Sequence, residues 1–157
     1  MATRFHFRLE PLLKLRKSLE QEAQRQLALK IEARNAVELQ LKNLQQEHAK
    51  ALESRRIEAG KEIDLAFWAD LERFLLILEK RIAHARLDLE AAEGEVVQAR
   101  LILTRAHQDY LMLLRLKERR QEQHAVEVLH EEIREADENA VLRHRLGTPR
   151  LVRFAAP

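Results

Sequence analysis

Fourteen apolar residues recur through the second half of this 157-residue chain at spacings that alternate between three and four. They are Trp68, Leu71, Leu75, Leu78, Ile82, Ala85, Leu89, Ala92, Val96, Ala99, Leu103, Ala106, Tyr110 and Leu113. This alternation holds one stripe of side chains on one side of a helix, and sustained for about six heptads it specifies a coiled coil. A strand would repeat every two residues instead. The next positions in the same frame are Lys117, Arg120 and His124, so the seam is predicted to stop after Leu113.

Breakers set the helix limits. No proline occurs between Pro11 and Pro149, so nothing forbids helix across that span. Pro11, in "EPLLKLRK", suits a first helical turn, where its missing N–H costs nothing. Gly60 can end that helix in the left-handed conformation, and Asp64 stands at the right distance to cap a second. Gly147 and Pro149 stop the second helix. The expected architecture is an all-α, long two-helix antiparallel coiled-coil hairpin with an overhanging C-terminal helix. It forms a single domain over 1–157: helix 1 at about 11–59, a turn at about 60–64, helix 2 at about 65–146 and a tail at 147–157. Gly94 lies inside helix 2 and costs about 1 kcal/mol relative to alanine.

The end of the seam argues for pairing within one chain. If the chain folds back near residue 62, residue x faces residue 124 − x, and Pro11 then faces position 113, where the seam ends. A monomeric hairpin follows, in preference to a parallel dimer. The matching stripe on helix 1 is weaker: Leu12, Leu19, Ala23, Leu27, Val37, Leu41, Leu44, His48 and Ala51 or Leu52. Lys30 and Arg34 interrupt it, and their stems can lie over the seam. At 1.5 Å per residue the paired part is roughly 70 Å long and the second helix roughly 120 Å.

Beyond Leu113 the charge is banded. Residues 115–120 carry four bases and one acid, residues 122–138 seven acids and one base, and residues 139–157 four arginines and no acid. A stripe in a shifted phase, Val126, Leu129, Ile133, Ala136 and Ala140, suggests contact with another chain; the other reading is a solvated helix held by charge pairs.

Several function classes are excluded or disfavoured. A two-helix rod offers no concave pocket for catalysis, so a non-enzymatic protein without cofactors is expected. "HEEIR" at 130–134 begins like a zinc-protease helix, but Arg134 stands where the second ligand histidine belongs. The seven histidines include no i, i+4 pair, which argues against a metal. The sequence pI of about 9.1 and basic clusters at 4–17 and 143–153 raise nucleic acid as a partner. Against it, the acidic band at 122–138 repels phosphate and no aromatic platform is interleaved with the bases. No membrane insertion is expected, because the start is never apolar for more than two residues. With no cysteine, the chain reads as a soluble cytoplasmic protein.

The opening "FHFRLEPLLKLRKSLEQEAQRQLA", the mid-chain "QLKNL" and "FLLILEKRIAHARLDL", and the closing "EEIREADENAVLRHR" together resemble the FliJ family, coiled-coil components of the bacterial flagellar type III export apparatus. The likeness covers nearly all of residues 4–146 and leaves the tail "GTPRLVRFAAP" unmatched. It implies a fold similar to the coiled-coil stalk of rotary ATPases. It also implies an adaptor between the hexameric export ATPase FliI, met at the end that holds both termini, and the export gate FlhA, met by the side of the hairpin. Empty export chaperones are further implied partners, and the implied location is the cytoplasmic face of the inner membrane. Carried over by position, the gate-facing residues are Gln40, Leu44, Phe74 and Leu78. Leu44 and Leu78 also sit in the seam stripes. Glu47 and Ala51 stand where relatives can present rings, a departure from the pattern. The alternatives are the equivalent stalk of a virulence type III secretion system and a generic cytoplasmic coiled-coil scaffold.

Three of the seven aromatics, Phe67, Trp68 and Phe74, fall in "DLAFWADLERFL". Trp68 belongs to the seam. Phe67 and Phe74 are seven apart and share an edge beside it, either as anchors for the gate or as a widening of the core against Ile57 and Lys50. The expected ATPase-binding residues are Arg4, Arg8, Arg115, Arg119 and Arg120, with Val126, Leu129 and Ile133 beyond them.

Overall fold

A computed structural model describes residues 4–62 and 64–147. Two helices account for nearly all of them: α1, Glu10–Glu58, and α2, Leu65–Gly147. Both lie within one residue of the limits set by Pro11, Gly60, Asp64 and Gly147. The chain divides into two compact units, one of residues 15–110 and one of residues 1–14 with 111–157.

The 15–110 unit is an antiparallel pair around the turn. On α2 the predicted seam is the core: Leu75, Leu78, Ile82, Ala85, Val96 and Ala99 are buried. From α1, Leu41 joins Ile82 and Ala85 in one cluster, with Leu44 and Leu89 against it. Ala51 joins Leu75 and Leu78 in a second, with Leu44 and Leu71 against it. Leu78 is 0% exposed. Burying such a side chain contributes about 1.5–3 kcal/mol.

The α1 seam differs from its sequence reading by one residue ahead of Ala23 and agrees with it from Ala23 onward. The positions covered are Arg16, Glu20, Ala23, Leu27, Lys30, Arg34, Val37, Leu41, Leu44, His48 and Ala51, an unbroken heptad. Leu19, read as part of the stripe, is 47% exposed, and Leu52 is 42% exposed. Leu52 yields to Ala51, and Leu19 to a charged residue, Glu20; Arg16, Lys30 and Arg34 hold further seam positions. These residues bury their stems and place their heads on acids or histidines of α2: Arg16 on Asp109 at 3.1 Å, Lys30 on Glu95 at 2.7 Å and Arg34 on Glu93 at 3.5 Å. Glu20 meets His107 at 2.5 Å and His48 meets Glu79 at 3.5 Å. Nearer the turn, Arg55 meets Glu72 at 3.3 Å. The two numbers of each pair total 125 to 127, so the facing rule is close to 126 − x and not 124 − x. Exposed pairs of this kind contribute only about 0–1 kcal/mol each. Their effect is to fix register, because any slip separates all of them together.

The turn uses Asp64 as foreseen. Its Oδ1 accepts hydrogen bonds from Ala66 N at 3.0 Å and Phe67 N at 3.5 Å, satisfying donors that the helix start leaves free. Gly60 does not use its special freedom. No described residue has positive φ; α1 closes by tightening, with Gly60 N donating to Ile57 O at 3.3 Å and Lys61 N to Glu58 O at 3.1 Å. Gly94 is likewise unused by its surroundings, since an added Cβ would meet nothing within 4 Å. It lies in an apolar recess of about 840 Å³ beside Ala23, Ala91 and Ala99, where small residues on both helices leave space. Gly94→Ala is therefore expected to raise stability by about 1 kcal/mol. Urea denaturation measures it, and an unchanged or lowered midpoint would mean that the recess is filled in solution.

In the other unit the sequence reading needs a larger correction. Leu13, not Leu12, is the buried leucine, at 6% against 37% exposed. The seam of α2 does not stop at Leu113. Lys117 and His124 are half-buried, because the residues before α1 run alongside them. Glu10 holds Lys117 at 2.8 Å, Phe7 is 8% exposed, and the Phe5 ring meets His124 edge-on at 5.6 Å. A seam of apolar residues ends at Leu113; a polar one continues. Past Val128 every residue of α2 is exposed, so the overhang expected beyond Leu113 begins about 15 residues later. The tail expected at 147–157 lies, from 148 onward, outside the described residues.

Candidate partner-binding surfaces

Two surfaces were expected from sequence, and each lies within one unit. On the 15–110 unit, Phe67 and Phe74 are 44% and 45% exposed on the N-terminal part of α2, and neither joins a core cluster. Ile57, the proposed core neighbour, is itself 55% exposed, so the rings do not widen the core. Trp68 is half-buried on the seam, as its heptad position requires. Rings this exposed in water, on a helix whose seam is already filled, are available to a partner.

Of the residues assigned to the gate, Leu78 is corrected: its side chain is wholly enclosed by the two helices and presents nothing outward. Leu44 is half-buried and Gln40 exposed. These two border a shallow cavity of about 490 Å³ with Ile77, Lys80, Arg81 and His84 of α2. Ile77, 48% exposed, is an apolar side chain of this cavity that the sequence reading did not single out. Its signal was present, one position before the seam residue Leu78 and therefore on the flank. Ala51 is buried and Glu47 exposed, so neither supplies the ring that relatives can show there.

In the other unit, Arg4, Arg8, Arg115, Arg119 and Arg120 are all exposed. None forms an ion pair or hydrogen bond among the described residues, although the neighbouring Lys117 does. Val126, Leu129 and Ile133 are 52%, 54% and 51% exposed, without an apolar partner from α1. The stripe is rimmed by seven acids between 122 and 138, with Arg134 the one base. Such a surface joins steering charge to an apolar strip, the combination that orients and then anchors a protein partner.

Among the described residues no group of three or more His, Cys, Asp or Glu could hold a metal ion, and no helix is long and apolar enough to cross a membrane.

The family model for the flagellar FliJ protein matches residues 5–148. Among solved structures, a putative YscO homolog, CT670 from Chlamydia trachomatis, is similar at 18% identity and a TM-score of 0.49, over 91% of this chain and 97% of that one. No curated protein matches the chain. The family match spans both helices, the turn and the charged segment of α2, and by it the chain belongs to the FliJ family of flagellar type III export proteins.

Proposed function

We propose that this protein is a non-enzymatic adaptor of the flagellar type III export apparatus, a monomeric stalk that joins the hexameric export ATPase to the export gate. The observation that carries the reading is the family match over residues 5–148. Two surface features support its direction. The unpaired arginines of the terminal end suit an acidic ring, and the exposed rings of Phe67 and Phe74 suit an apolar recess on the gate. The mechanism is mechanical: a stiff helical pair, held in register by its cross-helix ion pairs, transmits position between two partners without chemistry of its own. Export chaperones are further partners, and the location is the cytoplasmic face of the inner membrane, reached through the apparatus and not by insertion.

Co-purification with the ATPase and with the cytoplasmic domain of the gate tests both attachments. Phe67→Ala with Phe74→Ala is expected to weaken gate association about tenfold or more, as truncation of aromatic anchors does. Stability should change by no more than about 0.5 kcal/mol per ring. Intact gate association in a fully helical double variant would remove the rings from the interface.

A further inference from the structure

Residues 5–9 form a wall instead of extending the helix. Residues 4–7 have no regular structure, and Glu10 N donates to Phe7 O at 3.1 Å where α1 begins. Between this wall and α2 lies a groove of about 660 Å³, within the range of roughly 300–1,000 Å³ that ligand clefts occupy. Phe5 and Leu116 give it an apolar floor, Arg8 and Arg120 its cations, and Gln123 and His124 further polar atoms; Glu127 is its acid.

The cations here behave unlike those of the seam. Arg16, Lys30, Arg34, Arg55 and Lys117 each meet an acid of the other helix. Arg8 and Arg120 meet none, and Glu127 pairs with neither. Two free guanidinium forks beside an aromatic floor match a carboxylate attached to an apolar group, since the fork takes a carboxylate in two parallel hydrogen bonds. A nucleic acid suits the site poorly, because Glu127 and the acids that follow along α2 would repel a run of phosphates.

We propose that this groove binds a short protein segment that carries a carboxylate next to an apolar side chain. The proposal rests on the reading that the terminal end meets the ATPase ring, and it names the chemistry of the ring segment recognised there. Phe5, held edge-on by His124, positions the apolar side chain. Arg8 and Arg120 take the carboxylate from opposite walls.

The test uses the full chain and two capped hexapeptides, Ac-Gly-Leu-Asp-Phe-Glu-Gly-NH2 and its Asn/Gln analogue, followed through the amide resonances of Leu116, Gln123 and His124. The acidic peptide should bind at least about tenfold more tightly than the uncharged one, as expected for charge-assisted hydrogen bonds. Arg8→Gln with Arg120→Gln should remove that preference, and Phe5→Ala should weaken both peptides while the helix content is unchanged. Equal affinity for the two peptides would overturn the proposal. So would displacement of the acidic peptide by inorganic phosphate or by a single-stranded oligothymidine at equal concentration. Ring association separates the two levels of the argument. Loss of peptide binding with full ring association in the Arg8, Arg120 variant would overturn the groove and leave the ATPase reading standing. Selective peptide binding by a chain that never joins the ring would leave the groove's chemistry standing and overturn its assignment to the ATPase.

Discussion

Leu78→Ala is expected to destabilise the helical pair by about 3 kcal/mol, near the middle of the range for leucine truncation in a core. Leu78 is wholly buried between Ala51 and Leu75, with Leu44 and Leu71 closing the cluster. Of these neighbours Leu44 and Ala51 belong to α1, and Ala51 is too short to fill the space while the seam residues to either side keep the helices apart. The cavity should therefore stay open, which is the expensive case. Chemical denaturation of the purified chain gives the number, and its dependence on protein concentration gives the assembly state. An intramolecular hairpin unfolds at a midpoint independent of concentration, whereas a dimer does not. A cost below about 1 kcal/mol would mean that α1 does not cover Leu78 in solution. The same variant tests the reassignment of this residue from the gate to the core: gate association should persist in Leu78→Ala under conditions where the variant remains folded.

The seam of α2 was legible in sequence because its heptad positions are apolar without exception from Trp68 to Leu113. The α1 seam was legible from Ala23 onward, including Lys30 and Arg34, whose long stems keep the phase set by Leu27 and Val37. Before Ala23 its seam positions are Arg16 and Glu20, and their burial depends on an acid and a histidine 93 and 87 residues away in sequence. No apolar side chain marks those two positions, so the leucines nearby, Leu12 and Leu19, draw the phase one residue off. The same cause hid the continuation past Leu113, where Lys117 and His124 hold seam positions whose partners, Glu10 and Phe5, precede or only begin α1. Surface positions were easier. Phe67 and Phe74 lie beside the seam because each stands one position before a seam residue, Trp68 and Leu75, and seven-residue spacing keeps both on the same edge; the arginine cluster is visible as composition. What composition does not carry is which arginines are paired, and that separates Lys117, tied to Glu10, from the five free guanidinium groups around it.

Reversing Arg115, Arg119 and Arg120 together to glutamate is expected to weaken association with the export ATPase by roughly two orders of magnitude in about 0.1 M salt. It should also abolish any stimulation of ATP hydrolysis. The three lie within two turns of α2, are exposed, and have no carboxylate partner among the described residues, so their charge acts outward. The reversal changes the net charge by six, and like charges placed against an acidic ring cost several kcal/mol. Folding should be spared: glutamate and arginine have similar helix propensity, positions 115 and 119 carry like charges before and after, and the new i, i+3 repulsions with Glu118 and Glu122 cost only about 0.2–0.5 kcal/mol each. Circular dichroism checks that point. Salt supplies the internal control. If the defect is electrostatic, it should narrow between 0.1 and 1 M salt, as the screening length falls from about 10 Å to about 3 Å. A remainder of binding that salt does not weaken is the result expected if the exposed apolar stripe Val126, Leu129 and Ile133 also meets the ring. A fully helical variant that stimulates the ATPase as well as the natural sequence would show that the ring reads another part of the chain. A defect that does not respond to salt would shift the assignment from the arginines to the shape of the helix surface they occupy.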